Sequence, residues 1–300
     1  MISTRYKIGI FGMGAVGSSI YDELNGYPNL YALLDEDRIN KYKKNPLYIN
    51  GKKVELNSTS NKKMDFIFLC VKVYHLDKAL VDLKPFVDDH TIILPILNGI
   101  DAHDIVSKAY PHNWVLYGAI NVESNKEGNN VKTSKIMNLQ FGDKYNYHLR
   151  FPLIEYKKIF DHYKIVNHIY HNVNRRVWLK WMMNLAINQI SAYGNYTYKD
   201  MSDPEILDLM YHVFDEGYIV AQSYNIGVTR GDIDELKYRC SLFESDRVTS
   251  LTLDVNKGGL NEAAIFGGRM LELAKAKNID IPYNTMVYER LLERINGKGH

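Results

Sequence analysis

Short hydrophobic runs alternate with amphipathic helical segments through the first half of the chain. The runs occupy residues 8–11, 29–34, 65–71, 91–97 and 114–122. Apolar runs of this length are typical of strands that are buried on both faces of a parallel sheet. Because helical patterns separate several of them, the sequence predicts a doubly wound α/β sheet. Residues 48–56 and 129–143 are predicted to add hairpins to it.

From about residue 170 the pattern changes to long amphipathic helices. Ser202-Asp203-Pro204 is a helix start, with a capping side chain followed by proline at the first helical position. The predicted helices cover residues 204–225, 231–245, 249–257 and 261–278, with a last one after Pro282. We therefore expect an α/β domain over residues 1–168, followed by an all-α C-terminal domain over residues 169–300.

One helix carries a polar stripe on an apolar background. Residues 179–189 read LKWMMNLAINQ, in which Lys180, Asn184 and Asn188 recur at intervals of four. Residues four apart lie on one face of an α-helix, so these three side chains line up. Two interpretations fit this stripe. It is either a thin solvent-facing edge, or the wall of a cleft in which amides hold a polar substrate and a desolvated lysine donates a proton.

A glycine-rich turn follows the first predicted strand. Gly12, Gly14 and Gly17 have the spacing G-x-G-x-x-G, and a helical pattern comes directly after them. Strand, glycine turn and helix form the context in which this motif binds a dinucleotide, as in Rossmann-like domains. The helix N-terminus offers amide groups and a partial positive charge to the diphosphate. The predicted cofactor-binding residues of this turn are Gly12, Met13, Gly14, Ala15, Val16 and Gly17.

The second strand is followed by charged residues that bear on the choice of cofactor. Asp35 stands where an acidic residue normally accepts hydrogen bonds from the adenosine ribose, which favours NADH. Arg38 could instead attract the 2′-phosphate of NADPH. Lys72 and Asn98 follow two further predicted strands. Because ligands bind beyond the carboxyl ends of parallel strands, both are candidate site residues, although a surface lysine and an Asn-Gly turn explain them equally well.

Composition and charge bear on the partners, metal sites and location of the protein. The 300-residue chain has a formal net charge of +2 and two cysteines, Cys70 and Cys240, in no metal-binding pattern. We expect no nucleic-acid partner and no metal site. No leader with an apolar signal core and no membrane-length apolar run is evident, so we expect a cytoplasmic protein without a membrane segment.

Six segments in order resemble the ketopantoate reductases (2-dehydropantoate 2-reductases). They are GMGAVG at 12–17, VKVYH at 71–75, LNGI at 97–100, WLKWMMNLAINQISA at 178–192, TSLTLDVNKGGLNE at 249–262 and NIDIPYNT at 278–285. The resemblance implies hydride transfer from a nicotinamide cofactor, usually NADPH, to the ketone of a small 2-keto acid.

The resemblance also implies roles for individual residues. Lys180 matches the general acid, and Glu262 matches the glutamate that supports it and contacts substrate. The residues that match those holding the hydroxyl and carboxylate ends of the substrate are Asn184, Asn188 and Ser250. Asn98 matches an asparagine beside the nicotinamide and the substrate, and Lys72 matches a lysine near the cofactor.

The sequence departs from the family pattern at several positions. Asp35 aligns with an arginine that binds the 2′-phosphate, Gln189 with a proline, Gly259 with an arginine and Arg247 with an asparagine. Three interpretations are open, of which the second is favoured by Asp35 and the altered loop at Gly258–Asn261, and the third stays open because fold alone does not establish catalysis. They are a ketopantoate reductase, an NADH-dependent D-2-hydroxyacid dehydrogenase acting on another 2-keto acid, and a non-catalytic nucleotide sensor. A homodimer also remains open.

Overall fold

The chain folds into two compact units. The computed structural model describes residues 2–297, so residue 1 and residues 298–300, the outer ends of the two predicted domains, lie outside the described part. The first unit extends to Arg176 and the second begins at Val177. The boundary predicted from the sequence falls after residue 168.

Strands and helices alternate in the first unit. In chain order they are β1 (Ile8–Phe11), α1 (Ala15–Glu23), β2 (Leu30–Leu33), α2 (Glu36–Lys44), β3 (Leu47–Ile49), β4 (Lys52–Val54), β5 (Ser58–Thr59), β6 (Phe66–Leu69), α3 (Leu76–Asp82), β7 (Ile92–Pro95), α4 (Ala102–Ala109), β8 (Trp114–Val115), β9 (Tyr117–Asn121), β10 (Ser124–Glu127), β11 (Asn130–Thr133), β12 (Asn138–Gly142), α5 (Phe151–His162) and β13 (Asn167–His168).

The main sheet is parallel and covered on both faces, as the hydrophobic runs predict. Its strand order is β5-β2-β1-β6-β7-β8, and every neighbouring pair is parallel. Successive side chains of a strand point to opposite faces. Phe66 and Phe68 of β6 therefore enter one core with residues of α1 and α5. Ile67 and Leu69 enter a second core with residues of α3 and α4. This is the predicted doubly wound, Rossmann-like arrangement.

The prediction of one strand over residues 114–122 is wrong. The chain forms β8, which ends the main sheet, and then β9, which pairs antiparallel with β12 in a separate sheet. Leu116 still donates to the carbonyl of Ile93 at 2.9 Å, after which the chain leaves β7. Gly118 then lies close to Leu94 and Ile96, where it has no Cβ to obstruct the crossing. Apolar residues continue on both sides of Gly118, so the hydrophobic pattern alone does not indicate the bend.

A second small sheet packs against α1. Its order is β10-β11-β3-β4, and the β3–β4 turn contains Asn50 and Gly51, both with positive φ. Such an Asn-Gly pair is the preferred sequence of a two-residue hairpin turn. The Ser19 and Thr133 hydroxyls are 2.6 Å apart and tie α1 to β11. Residues 48–56 form the predicted hairpin, but in this sheet and not in the main one. The predicted hairpin over residues 129–143 is wrong, because β11 pairs with β10 and β3 whereas β12 pairs with β9 and β13.

The second unit is helical. Its elements are α6 (Val173–Gly194), which begins just before the division, α7 (Pro204–Ser223), α8 (Arg230–Cys240), α9 (Ser250–Lys257), a π-helical segment (Ala264–Gly268), α10 (Arg269–Ala276) and α11 (Pro282–Gly297). The Asp203 side chain accepts from the Glu205 amide and caps α7, as predicted from Asp203-Pro204. Within residues 2–297, none of the helices combines the length and hydrophobicity that crossing a bilayer requires.

The predicted helix over residues 231–245 is too long. α8 ends at Cys240, and the backbone beyond it pairs with another segment. The carbonyl oxygens of Ser245 and Arg247 accept hydrogen bonds from the amides of Lys199 and Tyr198, both at 2.9 Å. The Phe243 and Tyr198 rings also pack edge to face. These tertiary contacts draw the segment out of the helix and are not visible in the local pattern.

Candidate active site

Two glycines of the turn between β1 and α1 are required by close backbone packing. Gly12 has φ of +96°, and a Cβ there would overlap the carbonyl oxygen of Cys70. A Cβ on Gly17 would overlap the carbonyl oxygen of Gly12. The strand, the turn and the helix therefore approach each other more closely than any other residue type allows.

Gly14 has a different environment. It is the N-cap of α1, it is exposed, and a Cβ there would meet nothing within 4 Å. No side chain caps α1 and no acidic residue lies in its first turn. Met13 is buried, and Ala15 and Val16 are half-buried. An open glycine at an uncapped helix N-terminus fits a dinucleotide diphosphate, because amide groups and the positive end of the helix dipole are available to it.

Asp35 and Arg38 interact with each other. Asp35 is the N-cap of α2, and its Oδ1 accepts from the Arg38 amide at 2.7 Å. Its Oδ2 lies 3.5 Å from Arg38 Nε, and both side chains are more than half exposed, at 58% and 56%. The pair is thus a surface ion pair that solvent screens. Asp35 as candidate acceptor for ribose hydroxyls and Arg38 as candidate cation for a 2′-phosphate, two alternatives in the sequence, are therefore neighbours in space.

Lys72 and Asn98 lie at the same edge of the main sheet as the glycine turn. Lys72 precedes a 3₁₀ turn (Val73–His75) after β6, and Asn98 follows β7. β1, β6 and β7 are adjacent parallel strands, with Phe11, Leu69 and Pro95 in register at their carboxyl ends. Both side chains are half-buried. The first unit therefore brings together the predicted residues of the turn, Lys72 and Asn98 at one edge.

The polar stripe of α6 is not a simple solvent-facing edge. Lys180 and Asn184 are half-buried, and Asn188 is 6% exposed. The flanking Trp181, Met182 and Leu185 are buried. Neither stripe asparagine has a hydrogen-bond partner for its side chain among residues 2–297. The two carboxamides are therefore available to hydrogen-bond a polar ligand.

Lys180 and Glu262 interact electrostatically inside the second unit. Burial lowers the pKa of Lys180 to about 8, and the Glu262 carboxylate acts in the opposite direction by favouring the charged amine. Glu262 is 4% exposed. Near neutral pH such a lysine is largely protonated but gives up its proton more readily than a solvated lysine. The pair can therefore act as a proton donor and its supporting carboxylate.

The segment that carries Glu262 is held against α6. Trp181 Nε1 donates to the carbonyl of Ile265 at 2.8 Å. Ile265 belongs to the π-helical segment that begins at Ala264, two residues after Glu262. Such segments are frequent at functional sites. The residue next to Lys180 thus anchors the backbone three residues beyond Glu262.

Gln189 fills the space beside the π-helical segment. Its Nε2 donates to the Leu185 carbonyl at 2.9 Å, whereas its buried Oε1 has no hydrogen-bond partner in the described structure. A Cβ on Gly267 would overlap both this Oε1 and the ring of Tyr288. Gln189 is the position at which the family resemblance leads us to expect a proline. The larger side chain is accommodated because Gly267, opposite it, has no Cβ.

Ser250 lies at the exposed N-terminus of α9, and a buried hydroxyl network fixes that helix to α6. The hydroxyl of Thr252 is 2.8 Å from that of Ser191 and 3.0 Å from that of Thr249, and Ser191 Oγ donates to the Tyr196 carbonyl at 2.7 Å. The sequence pattern does not predict the supporting roles of Trp181, Ser191 and Thr252. No local signal could reveal them, since their partners lie far along the chain.

Two family models together match most of the chain. The model described as ketopantoate reductase PanE/ApbA matches residues 8–145, and the model of the C-terminal domain of the same family matches residues 172–294. A curated relative, the 2-dehydropantoate 2-reductase of Streptococcus pyogenes serotype M3, is 24% identical over 295 residues, which cover 93% of this chain and 95% of the relative.

Solved structures of similar fold cover nearly the whole chain. The dimeric ketopantoate reductase of Staphylococcus aureus has a TM-score of 0.80 at 21% identity, with 98% of this chain and 100% of that chain covered. The ternary structure of D-mandelate dehydrogenase with NADH and anilino(oxo)acetate has a TM-score of 0.86 at 20% identity, with 98% and 99% covered. At these identities the structural likeness concerns the fold.

Proposed function

The chain belongs to the ketopantoate reductase family, whose members are nicotinamide-dependent oxidoreductases acting on CH–OH groups, and we propose that it reduces ketopantoate to pantoate. The proposed proton donor is Lys180. The observation that carries this proposal is the lysine of lowered pKa beside the buried Glu262, on the same helix face as Asn184 and Asn188. The product would enter pantothenate and coenzyme A synthesis.

The proposed mechanism uses the lysine to neutralise charge on the substrate. When bound, the reduced nicotinamide supplies the hydride, and negative charge then develops on the former ketone oxygen. The Lys180 ammonium stabilises that charge and gives up its proton. Glu262 keeps Lys180 protonated and orients it. Asn184, Asn188 and Ser250 are proposed to hold the hydroxyl and carboxylate ends of the substrate.

The first unit is proposed to bind the cofactor. The Gly12–Gly17 turn would bind the diphosphate, with Asp35 and Arg38 at the adenosine ribose and Lys72 and Asn98 nearer the nicotinamide. The open space at Gly14 and the uncapped N-terminus of α1 support this assignment.

The first experiment tests Lys180. We expect Lys180→Ala to lower kcat about 10²- to 10⁴-fold, the usual contribution of a positioned general acid. NADPH affinity, measured by cofactor fluorescence, should stay within about twofold, since Lys180 is not assigned to the dinucleotide. Lys275→Ala removes an exposed lysine from α10 of the same unit and serves as the matched control. Normal reduction of ketopantoate by Lys180→Ala would contradict the mechanism.

A second candidate function is an NADH-dependent D-2-hydroxyacid dehydrogenase for another 2-keto acid. Asp35 favours it, because a carboxylate at the ribose accepts from the hydroxyls of NADH and repels a 2′-phosphate. A panel of ketopantoate and less branched 2-keto acids, each with NADH and NADPH, separates the two functions by kcat/KM. A protein that binds dinucleotide and reduces no member of the panel would instead support the non-catalytic sensor.

A further inference from the structure

Lys126 lies on the inward face of β10, together with Ser124. Both are half-buried, whereas Asn125 and Glu127 are exposed. β10 pairs with β11, which is tied to α1 through the hydroxyls of Ser19 and Thr133. The alternation of the strand therefore directs the Lys126 side chain towards α1 and the turn that precedes it.

The ammonium of Lys126 connects three elements of the first unit. Nζ donates to the carbonyl oxygen of Met13 at 2.6 Å and to the Tyr42 hydroxyl at 3.0 Å. It also lies 5.5 Å from the centroid of the Tyr42 ring. Met13 stands between the first two glycines of the turn, and Tyr42 belongs to α2. One side chain thus joins the β10–β11 hairpin, the glycine turn and α2.

The Lys126 ammonium is stabilised by a carbonyl, a hydroxyl and a ring, but by no carboxylate of the described residues. It contacts the turn at the N-terminus of α1, where a cation is unfavourable because the helix dipole is already positive there. The first turn of α1 contributes no acidic side chain. A bound diphosphate would supply the negative charge that this part of the chain lacks.

We propose that Lys126 is a positioning residue of the dinucleotide site. By holding the Met13 carbonyl, it keeps the Gly12–Gly17 turn in the conformation that receives a diphosphate, and it adds a positive charge there. This inference rests on the proposed function, since it takes the ligand to be a nicotinamide dinucleotide. Because NADH and NADPH share the diphosphate, Lys126 strengthens the binding of both equally. Asp35 and Arg38, in contrast, bear on the choice between them.

The test measures dissociation constants by cofactor fluorescence on the full chain. Lys126→Met should weaken NADH and NADPH binding by about tenfold each and leave their ratio unchanged, as expected for one lost hydrogen bond to a charged group. Lys126→Arg, which keeps the charge and the donor, should recover most of the affinity. With ketopantoate in excess, the loss should fall on the KM for the cofactor and not on kcat.

Two further variants separate positioning from a general effect of charge or folding. Lys132→Met removes an exposed lysine from β11 of the same hairpin and should leave both dissociation constants unchanged. Tyr42→Phe removes the second acceptor of the Lys126 ammonium and should weaken both cofactors by less than Lys126→Met does. The inference is overturned if Lys126→Met binds both cofactors like the wild type, if Lys132→Met weakens them as much, or if only NADPH binding is lost.

Failure of the proposed function gives a different result. A wild-type chain that binds dinucleotides but reduces none of the 2-keto acids contradicts the proposed function. The inference is then still decided by comparing the dissociation constants of Lys126→Met and Lys132→Met. A wild-type chain that binds neither dinucleotide contradicts both.

Discussion

The protonation state of Lys180 should decide how the rate of reduction depends on pH. Donation requires the ammonium form, which is populated below a pKa of about 8. The rate should therefore be full at lower pH and fall as the pH rises through about 8. Glu262 raises this pKa, so Glu262→Gln should move the fall to lower pH. A kcat profile from neutral to alkaline pH measures the shift. Glu272→Gln, at an exposed site on α10, is the control, and an unmoved profile in Glu262→Gln would exclude the pairing.

Gly12 and Gly14 separate the structural from the binding demands on the glycine turn. Gly12→Ala forces a Cβ into the Cys70 carbonyl at positive φ, so we expect it to destabilise the fold by about 1–3 kcal/mol.

Gly14→Ala adds a methyl group to open space at φ of −77°, so its unfolding midpoint should match that of the wild type. Its affinity for dinucleotide should nevertheless drop, because the methyl group occupies the place proposed for the diphosphate. Thermal unfolding and cofactor fluorescence test both statements. A Gly14→Ala protein with full affinity would argue against the assigned site.

Among the elements, α11 depends on a buried carboxylate from another helix. Glu216 of α7 accepts from the amides of Tyr283 and Asn284 at 2.9 and 2.8 Å and from Asn284 Nδ2 at 2.7 Å. It thereby caps the N-terminus of α11 and complements its dipole. Glu216→Ala should lower the free energy of unfolding by about 2–4 kcal/mol in urea, since buried donors lose their acceptor. Glu293→Ala, at an exposed position of α11, should change it by less than about 0.5 kcal/mol.

Elements whose ends are set by local chemistry could be predicted from the sequence. Asp203-Pro204 begins α7, and Gly258, with φ of +71°, ends α9. Two predictions are wrong because of contacts with distant segments. Such contacts bend the chain within the predicted strand over residues 114–122 and end the predicted helix over residues 231–245 early. The sequence predicts an ordinary helix over the π-helical segment, since the hydrophobic pattern there does not differ from that of an α-helix.

The same distinction holds for the candidate site, where local features could be predicted from the sequence and long-range contacts could not. The alignment of Lys180 with Asn184 and Asn188 follows from helical periodicity, and the glycine turn follows from spacing and context. The proximity of Glu262 to Lys180 was implied only by the family resemblance. The contacts of Trp181 with Ile265 and of Lys126 with Met13 join residues 84 and 113 positions apart, and no pattern along the chain encodes them.

At the scale of the whole molecule, a cofactor should stabilise the protein to an extent set by its affinity. A ligand that binds only the folded state adds about 2.7 kcal/mol at one hundred times its dissociation constant. We expect NADH or NADPH, whichever supports turnover, to raise the thermal unfolding midpoint, and the preferred cofactor to do so at lower concentration. Adenosine, which lacks the diphosphate, is the control and should raise it far less. The absence of any shift at concentrations that saturate turnover would contradict binding to the folded chain.

The three tryptophans are divided unevenly between the two units, which gives the molecule an internal spectroscopic label. Trp114 lies in the first unit, whereas Trp178 and Trp181 pack edge to face on α6, one on either side of Leu179-Lys180. In a Trp114→Phe protein, indole emission therefore reports the helical unit alone, while far-ultraviolet dichroism reports the entire backbone. Coincident transitions of the two signals would identify one cooperative molecule, and separated transitions would identify halves that melt independently.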